Sequence, residues 1–225
     1  MTQRASQPTP NIDALRSTVC KHIAGAELVA SSLPDCPGIA LWLLDENYPQ
    51  WQLDSEQAAA VMAEPPFWSF CWASGQVLGR YLMQNPALVD GKSVVDFGGG
   101  SGVVAIAAKK AGAARAIVCD SDSAALEASL CNAALNSVEL DVIDDLSQIS
   151  DVDVITAADV FYDRDNLDLL PQLERRCQTL LIADSRLREG ELSAMRTLGK
   201  WRSHTVPDLD ESSEFRHVTL YQAEH

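Results

Sequence analysis

Hydrophobic and polar positions change period several times along this 225-residue chain. Ile12, Leu15, Val19, Ile23 and Leu28 recur at roughly helical spacing behind Asn11, a residue type that caps helices. They predict a helix from Asn11 to about Ala30. Pro34 and Pro37 break it, and Ile39–Leu44 reads as a short apolar strand. Val77–Gln84 reads as a second helix. From Ser93 onward, short apolar runs alternate with helical stretches. Strands are expected at Val94–Phe97, Ala116–Cys119, Leu140–Ile143, Val154–Ala157 and Leu180–Ala183. Helices are expected at Val103–Ala111, Ala124–Asn136, about Asn166–Cys177 and about Glu189–Leu198. Two last strands, Arg202–Val206 and His217–Gln222, are joined by the acidic loop Pro207–Glu214. That connector is too short for a helical crossover, so the pair should be an antiparallel hairpin. The pattern predicts an α/β fold: a doubly wound, mostly parallel seven-stranded sheet with an antiparallel C-terminal hairpin. Residues 1–10, with two prolines, are expected to be disordered. Residues 11–75 then form a helical and aromatic extension, a lid packed on a main domain at 76–225.

The stretch from Ser93 to Val103 organises the rest. Val94, Val95 and Phe97 suit a strand buried on both faces, and four glycines follow within five positions: Gly98, Gly99, Gly100 and Gly102. A helical run comes at once. Strand, glycine turn and helix make a nucleotide-binding corner, with backbone N–H groups facing the ligand. The bland reading is a tight turn without a ligand. A dinucleotide fold wants G-x-G-x-x-G, but the third glycine falls on Val103. The spacing is instead Asp96-x-Gly98-x-Gly100-x-Gly102. A carboxylate at the strand tip repels a pyrophosphate and attracts an ammonium. S-adenosylmethionine, with its α-ammonium and sulfonium, fits that acid better.

Composition narrows the partners. The net charge is −15, which argues against DNA or RNA as the main partner, because phosphate binding needs clustered Lys and Arg. No run of about 18 apolar residues is present and the first residues lack the apolar core of a signal peptide, so no membrane role and a cytoplasmic location are expected. Six cysteines show neither a C-x-x-C pair nor metal-ligand spacing, and read as reduced thiols with no metal. Residues 141–170 hold nine Asp against the single base Arg164, a formal charge of −8. Solubility explains that segment as well as a field drawing a cationic substrate to the ligand mouth. Four of the five tryptophans, Trp42, Trp51, Trp68 and Trp72, precede the glycine corner. The dense stretch Pro65–Gln76 is core or lid, or a wall beside the cofactor and the acceptor amine.

Strand ends carry the candidate chemistry. Asp120, 24 residues after Asp96, is placed to accept from both ribose hydroxyls, with Asp122 a second candidate. A helix N-cap is the competing role, which Asp122 or Ser123 could fill. One of Asp144 and Asp145 is expected at the adenine amine, with Asp145 preferred over an exposed turn acid. The fourth strand ends in Thr156-Ala157-Ala158-Asp159-Val160-Phe161-Tyr162, so Asp159, Phe161 and Tyr162 are expected at the reactive end. The two prolines of the nucleobase amino-methyltransferase motif are missing there, against a nucleobase acceptor.

Here the residues carry a resemblance. From about Pro37 to Asp184 the chain resembles the seven-strand, Rossmann-like class I S-adenosylmethionine-dependent protein lysine methyltransferases. Within them it is most similar to the electron-transfer-flavoprotein β-subunit lysine methyltransferases, which have bacterial relatives. Pro37-Gly38-Ile39-Ala40-Leu41, Pro66-Phe67-Trp68 through Trp72 and Gly75-Gln76, Asn85-Pro86, and Gly91-Lys92-Ser93-Val94 follow that family. Asp159-Val160-Phe161-Tyr162-Asp163 matches its signature after the fourth strand. Gly99-Gly100, Ala73-Ser74 and the C-terminal third depart from it. The resemblance implies methyl transfer from S-adenosylmethionine to a lysine ε-amine of a protein, with the electron-transfer flavoprotein β subunit first and a ribosomal protein second. The implied catalytic set is Asp159, Phe161 and Tyr162. The implied cofactor set is Trp72, Asp96, Gly98, Gly100, Ser101, Gly102, Asp120, Asp122, Asp145 and Ala158.

A lysine must be neutral to attack, yet its free pKa is about 10.4. Acids near the mouth attract the ammonium but oppose its deprotonation, while burial against Trp72, Phe161 and Tyr162 favours the neutral form. No strong general base is visible, and Asp159 is expected to position the amine or the cofactor. Two competing readings are a small-molecule amine or pyridine N-methyltransferase and a catalytically silent binding protein. A closed aromatic pocket would favour the first; the retained Asp96, glycines, Asp120 and Asp159 argue against the second.

Overall fold

A computed structural model of the chain describes residues 9–49, 65–187, 190–208 and 212–223. Trp51 and residues 1–8, where disorder was expected, lie outside the described residues. Helix α1, Ile12–His22, starts as expected at Asn11, whose side chain accepts from the amides of Asp13 and Ala14. It stops well before Ala30. The chain turns through Gly25 at φ 74 and becomes extended, as β1, Leu28–Ser32. β1 pairs antiparallel with β2, Ala40–Leu44. Leu28 thus keeps the buried side that its spacing implied, but from a strand. The interstrand pairing outweighs weak helical propensity in Leu28-Val29-Ala30-Ser31-Ser32.

The main sheet holds seven strands. They are β3 (Ser93–Phe97), β4 (Arg115–Cys119), β5 (Asp141–Ile143), β6 (Val152–Ala158), β7 (Cys177–Asp184), β8 (Arg196–Arg202) and β9 (His217–Gln222). Their spatial order is β5-β4-β3-β6-β7-β9-β8, with β3 to β7 parallel and β9 antiparallel to both β7 and β8. The winding reverses between β3 and β6, so a ligand crevice opens at the carboxyl ends of those two strands. Helices α2 (Ala73–Gln84) and α3 (Val103–Lys110) cover one face, against Val94, Leu181 and Leu220. The opposite face packs Val95, Ile117, Ile155 and Ile182 against Leu173 of the short helix α5, Leu170–Glu174. Val94 and Val95 are both fully buried on opposite faces, as period two requires. No helix among the described residues is long and apolar enough to cross a membrane.

Two expected helices are corrected. The one at Asn166–Cys177 is a 3-10 turn, Arg164–Leu169, followed by α5, and Cys177 already begins β7. Pro171 lacks the amide to continue a helix from behind and sits in the first turn of α5. The one at Glu189–Leu198 does not form among the described residues, because Arg196–Arg202 is recruited as β8 by pairing with β9. The C-terminal hairpin is antiparallel as expected, but its first strand lies earlier than Arg202–Val206. Of that stretch Arg202 ends β8, paired with His217, and Val206 makes one bridge to Cys71.

The N-terminal segment is held to the main sheet by two asparagines of α4, Ser123–Leu135, and its cap. Asn132 accepts from the Trp42 amide (2.6 Å) and donates to the Ser101 carbonyl (2.9 Å). Asn136 accepts from the Ala40 amide and donates back to the Ala40 carbonyl (2.6 Å). One fully buried side chain therefore couples β2 to the glycine turn. Asn132→Ala leaves a buried donor and acceptor unpaired, each costing roughly 1–3 kcal/mol. Urea unfolding is expected to show a loss of at least about 2 kcal/mol.

Candidate functional site

At the carboxyl end of β3 the chain leaves the sheet through three left-handed residues, Gly98 (φ 67), Gly100 (φ 51) and Gly102 (φ 77). The alternate glycines of the Asp-x-Gly-x-Gly-x-Gly spacing are the ones whose backbone needs glycine. Space explains them separately. A Cβ at Gly98 would sit 2.6 Å from Val160, and one at Gly102 would sit 2.9 Å from the Ser129 hydroxyl. A Cβ at Gly100 would meet nothing within 4 Å. Gly100 is therefore the point where the turn leaves room for another molecule. Behind the turn Asp96 is 1 % exposed. It accepts from the Thr156 hydroxyl (2.9 Å) and the Ala105 amide (3.3 Å). Burial pushes its carboxyl up to about 7, against the opposing effect of those two donors. Asp96, Trp72, Ser101 and Ala158 share a small recess beside the turn.

A cavity of about 380 Å³ opens in front of Gly98 and Gly100. Asp120, just beyond β4, lines it, accepting from the Gly100 amide (2.9 Å) and the Asp122 amide (3.0 Å). Burial raises its pKa. Asp122 lines the same cavity and caps α4 by accepting from the Ala124 amide at 2.8 Å. The cap role thus falls to Asp122. Asp145 is placed elsewhere. It is exposed, caps a 3-10 turn by accepting from the Ser147 amide (2.7 Å), and does not line the cavity. Asp144 accepts from the Gln148 side chain and is also outside.

The other end of the cavity is built around Asp159. Its backbone is left-handed, φ 50, a conformation Asp tolerates better than most residues. Its carboxylate accepts four hydrogen bonds: Ser74 hydroxyl (2.7 Å), Ser74 amide (3.3 Å), Ser185 hydroxyl (2.9 Å) and Ser185 amide (3.0 Å). Tyr162 and Phe67 stand at the rim, 43 % and 48 % exposed. Trp72 opens α2, donates its indole N–H to the Phe67 carbonyl (3.1 Å), and meets the rings of Phe67 and Phe70. Phe161 corrects an expectation. It is fully buried in the core beneath the sheet and does not reach the cavity. In the turn after β6 its neighbours Val160 and Tyr162 line the cavity instead.

The acidic segment is likewise more dispersed than expected. Of its nine Asp, only Asp159 and Asp163 line the cavity. Asp141 is buried against Arg115 at 2.6 Å, and Asp153 binds Ser93 at the opposite end of β3. Four residues of the site escaped the sequence reading: Ser74, Ser185, Arg186 and Phe215. The guanidinium of Arg186 lies 5.4 Å from the Trp72 ring, 5.6 Å from Tyr162 and 3.9 Å from Phe215. Ser185 and Arg186 follow β7 directly, so the strand-end rule applied to β6 would have found them at β7. Beside them Asp184 is 2 % exposed, with one oxygen accepting from the Arg186 and Leu187 amides and the other unpartnered. Burial, reinforced by the neighbouring Asp159 charge, pushes Asp184 up to about 7.

With this geometry, the comparisons gain a context. Residues 80–161 match the family model described as ribosomal protein L11 methyltransferase (PrmA). The electron transfer flavoprotein beta subunit lysine methyltransferase of Homo sapiens is 38 % identical over 154 residues, 66 % of this chain and 57 % of that protein. Its Xenopus laevis counterpart is 34 % identical over 178 residues, 77 % of this chain and 67 % of that protein. This chain thus spans little more than half the length of the human relative. A crystal structure of a ribosomal protein L11 methylase from Lactobacillus delbrueckii subsp. bulgaricus superposes with a TM-score of 0.52 at 24 % identity. The match covers 67 % of this chain and 78 % of that one, and shows the shared fold.

Asp184 generates a pH prediction. Folded, its carboxyl keeps a proton to about 7; unfolded, it loses it near 3.8. Between those values the folded chain binds more protons, so the stabilisation is complete below the lower value and disappears as pH rises through the upper. Asp96 titrates with the same sign. Asp184→Asn keeps the acceptor for the Arg186 and Leu187 amides and cannot ionise. Urea midpoints from pH 4 to 8 are expected to fall less steeply for Asp184→Asn than for the wild type.

Proposed function

We propose that this chain, which belongs to the electron transfer flavoprotein beta subunit lysine methyltransferase family, uses S-adenosylmethionine to methylate a lysine ε-amine of a protein. The observation that carries the reading is the open space over left-handed Gly100, directly beneath the Asp120 carboxylate at the switch point of the sheet. Bound there, S-adenosylmethionine would supply an electrophilic methyl, the C–S bond breaking with its electron pair to sulfur as an amine nitrogen takes the carbon.

This chain's residues divide the work by position. Asp120 accepts from backbone amides of the turn, including Gly100 and Asp122, and its carboxylate faces the cavity where the ribose hydroxyls would lie. Asp122 flanks it. Asp96, Ser101, Gly98, Gly102 and Ala158 form or back the recess for the amino-acid end, where an ammonium would favour the ionised Asp96. Asp145, exposed beyond β5, is the candidate for the adenine amine at the outer edge of the cavity. At the other end Trp72 and Tyr162 flank the path of the acceptor and exclude water from it. Asp159 positions: four hydrogen bonds from Ser74 and Ser185 fix the loop carrying Tyr162 against α2. Catalysis then comes mainly from alignment.

The exposed aromatic rim of Phe67 and Tyr162 supports an acceptor presented by a protein over a small amine enclosed in a pocket. The electron-transfer flavoprotein β subunit is the first candidate acceptor and a ribosomal protein the second, as the relatives' names indicate. A cytoplasmic, reducing setting suits six free thiols.

The purified chain is expected to transfer labelled methyl from S-adenosylmethionine to lysine of the electron-transfer flavoprotein β subunit, with mass spectrometry locating the label. Efficient methylation of nicotinamide with no protein labelled in a lysate would replace this reading by a small-molecule one. In calorimetry, Asp120→Ala is expected to weaken S-adenosylhomocysteine at least about tenfold, through lost charge-assisted hydrogen bonds. Gly100→Asn places a side chain in the open space while tolerating the left-handed backbone, and is expected to abolish binding.

A further inference from the structure

The mouth of the cavity carries two exposed rings and one exposed acid. Phe67 and Tyr162 stand at the rim, and Asp163, next in the chain to Tyr162, lines the same cavity and is exposed. Four carboxylates line this cavity, Asp120, Asp122, Asp159 and Asp163, against one base among the described residues, Arg186. The lining is therefore acidic even with that guanidinium counted. The four acids differ in what their oxygens face. Asp120 and Asp122 bind the glycine turn and the start of α4. Asp159 has both oxygens taken by Ser74 and Ser185. Asp163 uses one oxygen to cap a 3-10 turn, accepting from the Asp165 amide at 3.1 Å. Neither neighbouring donor takes its other oxygen. Arg164 pairs with Glu191 (3.1 Å), and Asn166 donates to the Val160 carbonyl (3.0 Å).

We infer that Asp163 is a specificity-determining residue for the acceptor: it captures the lysine ammonium at the mouth while Phe67 and Tyr162 hold the apolar stem. The inference rests on the lysine-methylation reading above and deepens it, by assigning the residue that selects a cationic side chain presented by a protein. A lysine has a flexible four-carbon stem with a compact charge at its tip. The stem gains by covering exposed ring surface, and the tip gains by a carboxylate beside those rings. Tyr162 and Asp163 offer both from consecutive positions. Arg186 packs against the rings of Trp72, Tyr162 and Phe215 and takes no part in this capture. Capture is separate from transfer. An ammonium cannot attack, so the amine leaves Asp163 and loses its proton to water before it reaches the methyl group. Asp163 is exposed, and solvent and salt screen its charge from an amine further in. Its effect therefore falls on encounter and acceptor binding, as for rim charges generally, and not on the chemical step. An uncharged pyridine or amide gains nothing from this carboxylate, so the residue favours a lysine over such a small molecule.

The test uses the full chain, S-adenosylmethionine and purified electron-transfer flavoprotein β subunit. Asp163→Asn keeps a capping acceptor for the Asp165 amide and removes the charge. At about 20 mM salt it should raise the KM for the acceptor about three- to fivefold, with kcat and S-adenosylhomocysteine affinity unchanged. At about 300 mM salt the KM values of wild type and Asp163→Asn should converge, because screening removes the attraction. Asp163→Lys should raise KM further than Asp163→Asn does. Asp151→Asn is the control. Asp151 is an exposed acid just before β6, at the end of that strand opposite the cavity, and its loss changes the net charge equally. It should behave as wild type. An unchanged KM in Asp163→Asn, an equal rise in Asp151→Asn, or a change confined to kcat would overturn the inference while leaving lysine methylation intact. Absence of any protein labelling by the wild type would overturn the underlying reading, and this inference with it.

Discussion

The carboxylate of Asp159 holds the acceptor end of this protein together. Four hydrogen bonds reach it from two serines, Ser74 in the first turn of α2 and Ser185 just past β7. Asp159 itself sits just past β6 in a left-handed conformation that costs on the order of 1 kcal/mol or more outside glycine. The hydrogen bonds offset that cost, and the strained backbone in turn sets the direction of the following residues. Phe161 enters the core, Tyr162 reaches the cavity rim, and Trp72, two residues before Ser74, is fixed opposite.

The two halves of the cavity are lined differently. At the cofactor half, carboxylates are paired with backbone amides of the glycine turn and the α4 cap, and the only steric opening in the turn is at Gly100. At the other half, the exposed surface is aromatic, with Arg186 against the rings of Trp72 and Tyr162 and Asp159 and Asp163 beside them.

The doubly wound sheet was legible because its strands are buried on both faces, and continuous apolar runs such as Val94-Val95 and Leu180–Ala183 have few other solutions. The glycine turn was legible because three of its residues occupy backbone conformations that other residues avoid. Elements whose form depends on a distant partner were not. Leu28–Ser32 and Arg196–Arg202 become strands through pairing with β2 and β9, which local periodicity does not encode. Site residues followed the same division. Asp120 and Asp159 are marked by strand ends, whereas Arg186 acquires its meaning from rings supplied by Trp72, Tyr162 and Phe215, far apart in sequence. Asp145 is ambiguous in sequence because an acid after a strand can cap a turn as readily as it can face a ligand.

The account's central claim is that one cavity, running from Gly100 to the Trp72–Tyr162 rim, holds the methyl donor with its reactive end toward that rim. A crystal structure of the chain with S-adenosylhomocysteine tests it most directly. The account predicts ribose hydroxyls on Asp120, the amino-acid end against Gly98–Ser101, and the sulfur facing the space between Asp159 and Trp72. Density for the ligand outside that cavity, or with the sulfur turned away from the Trp72–Tyr162 rim, would contradict it.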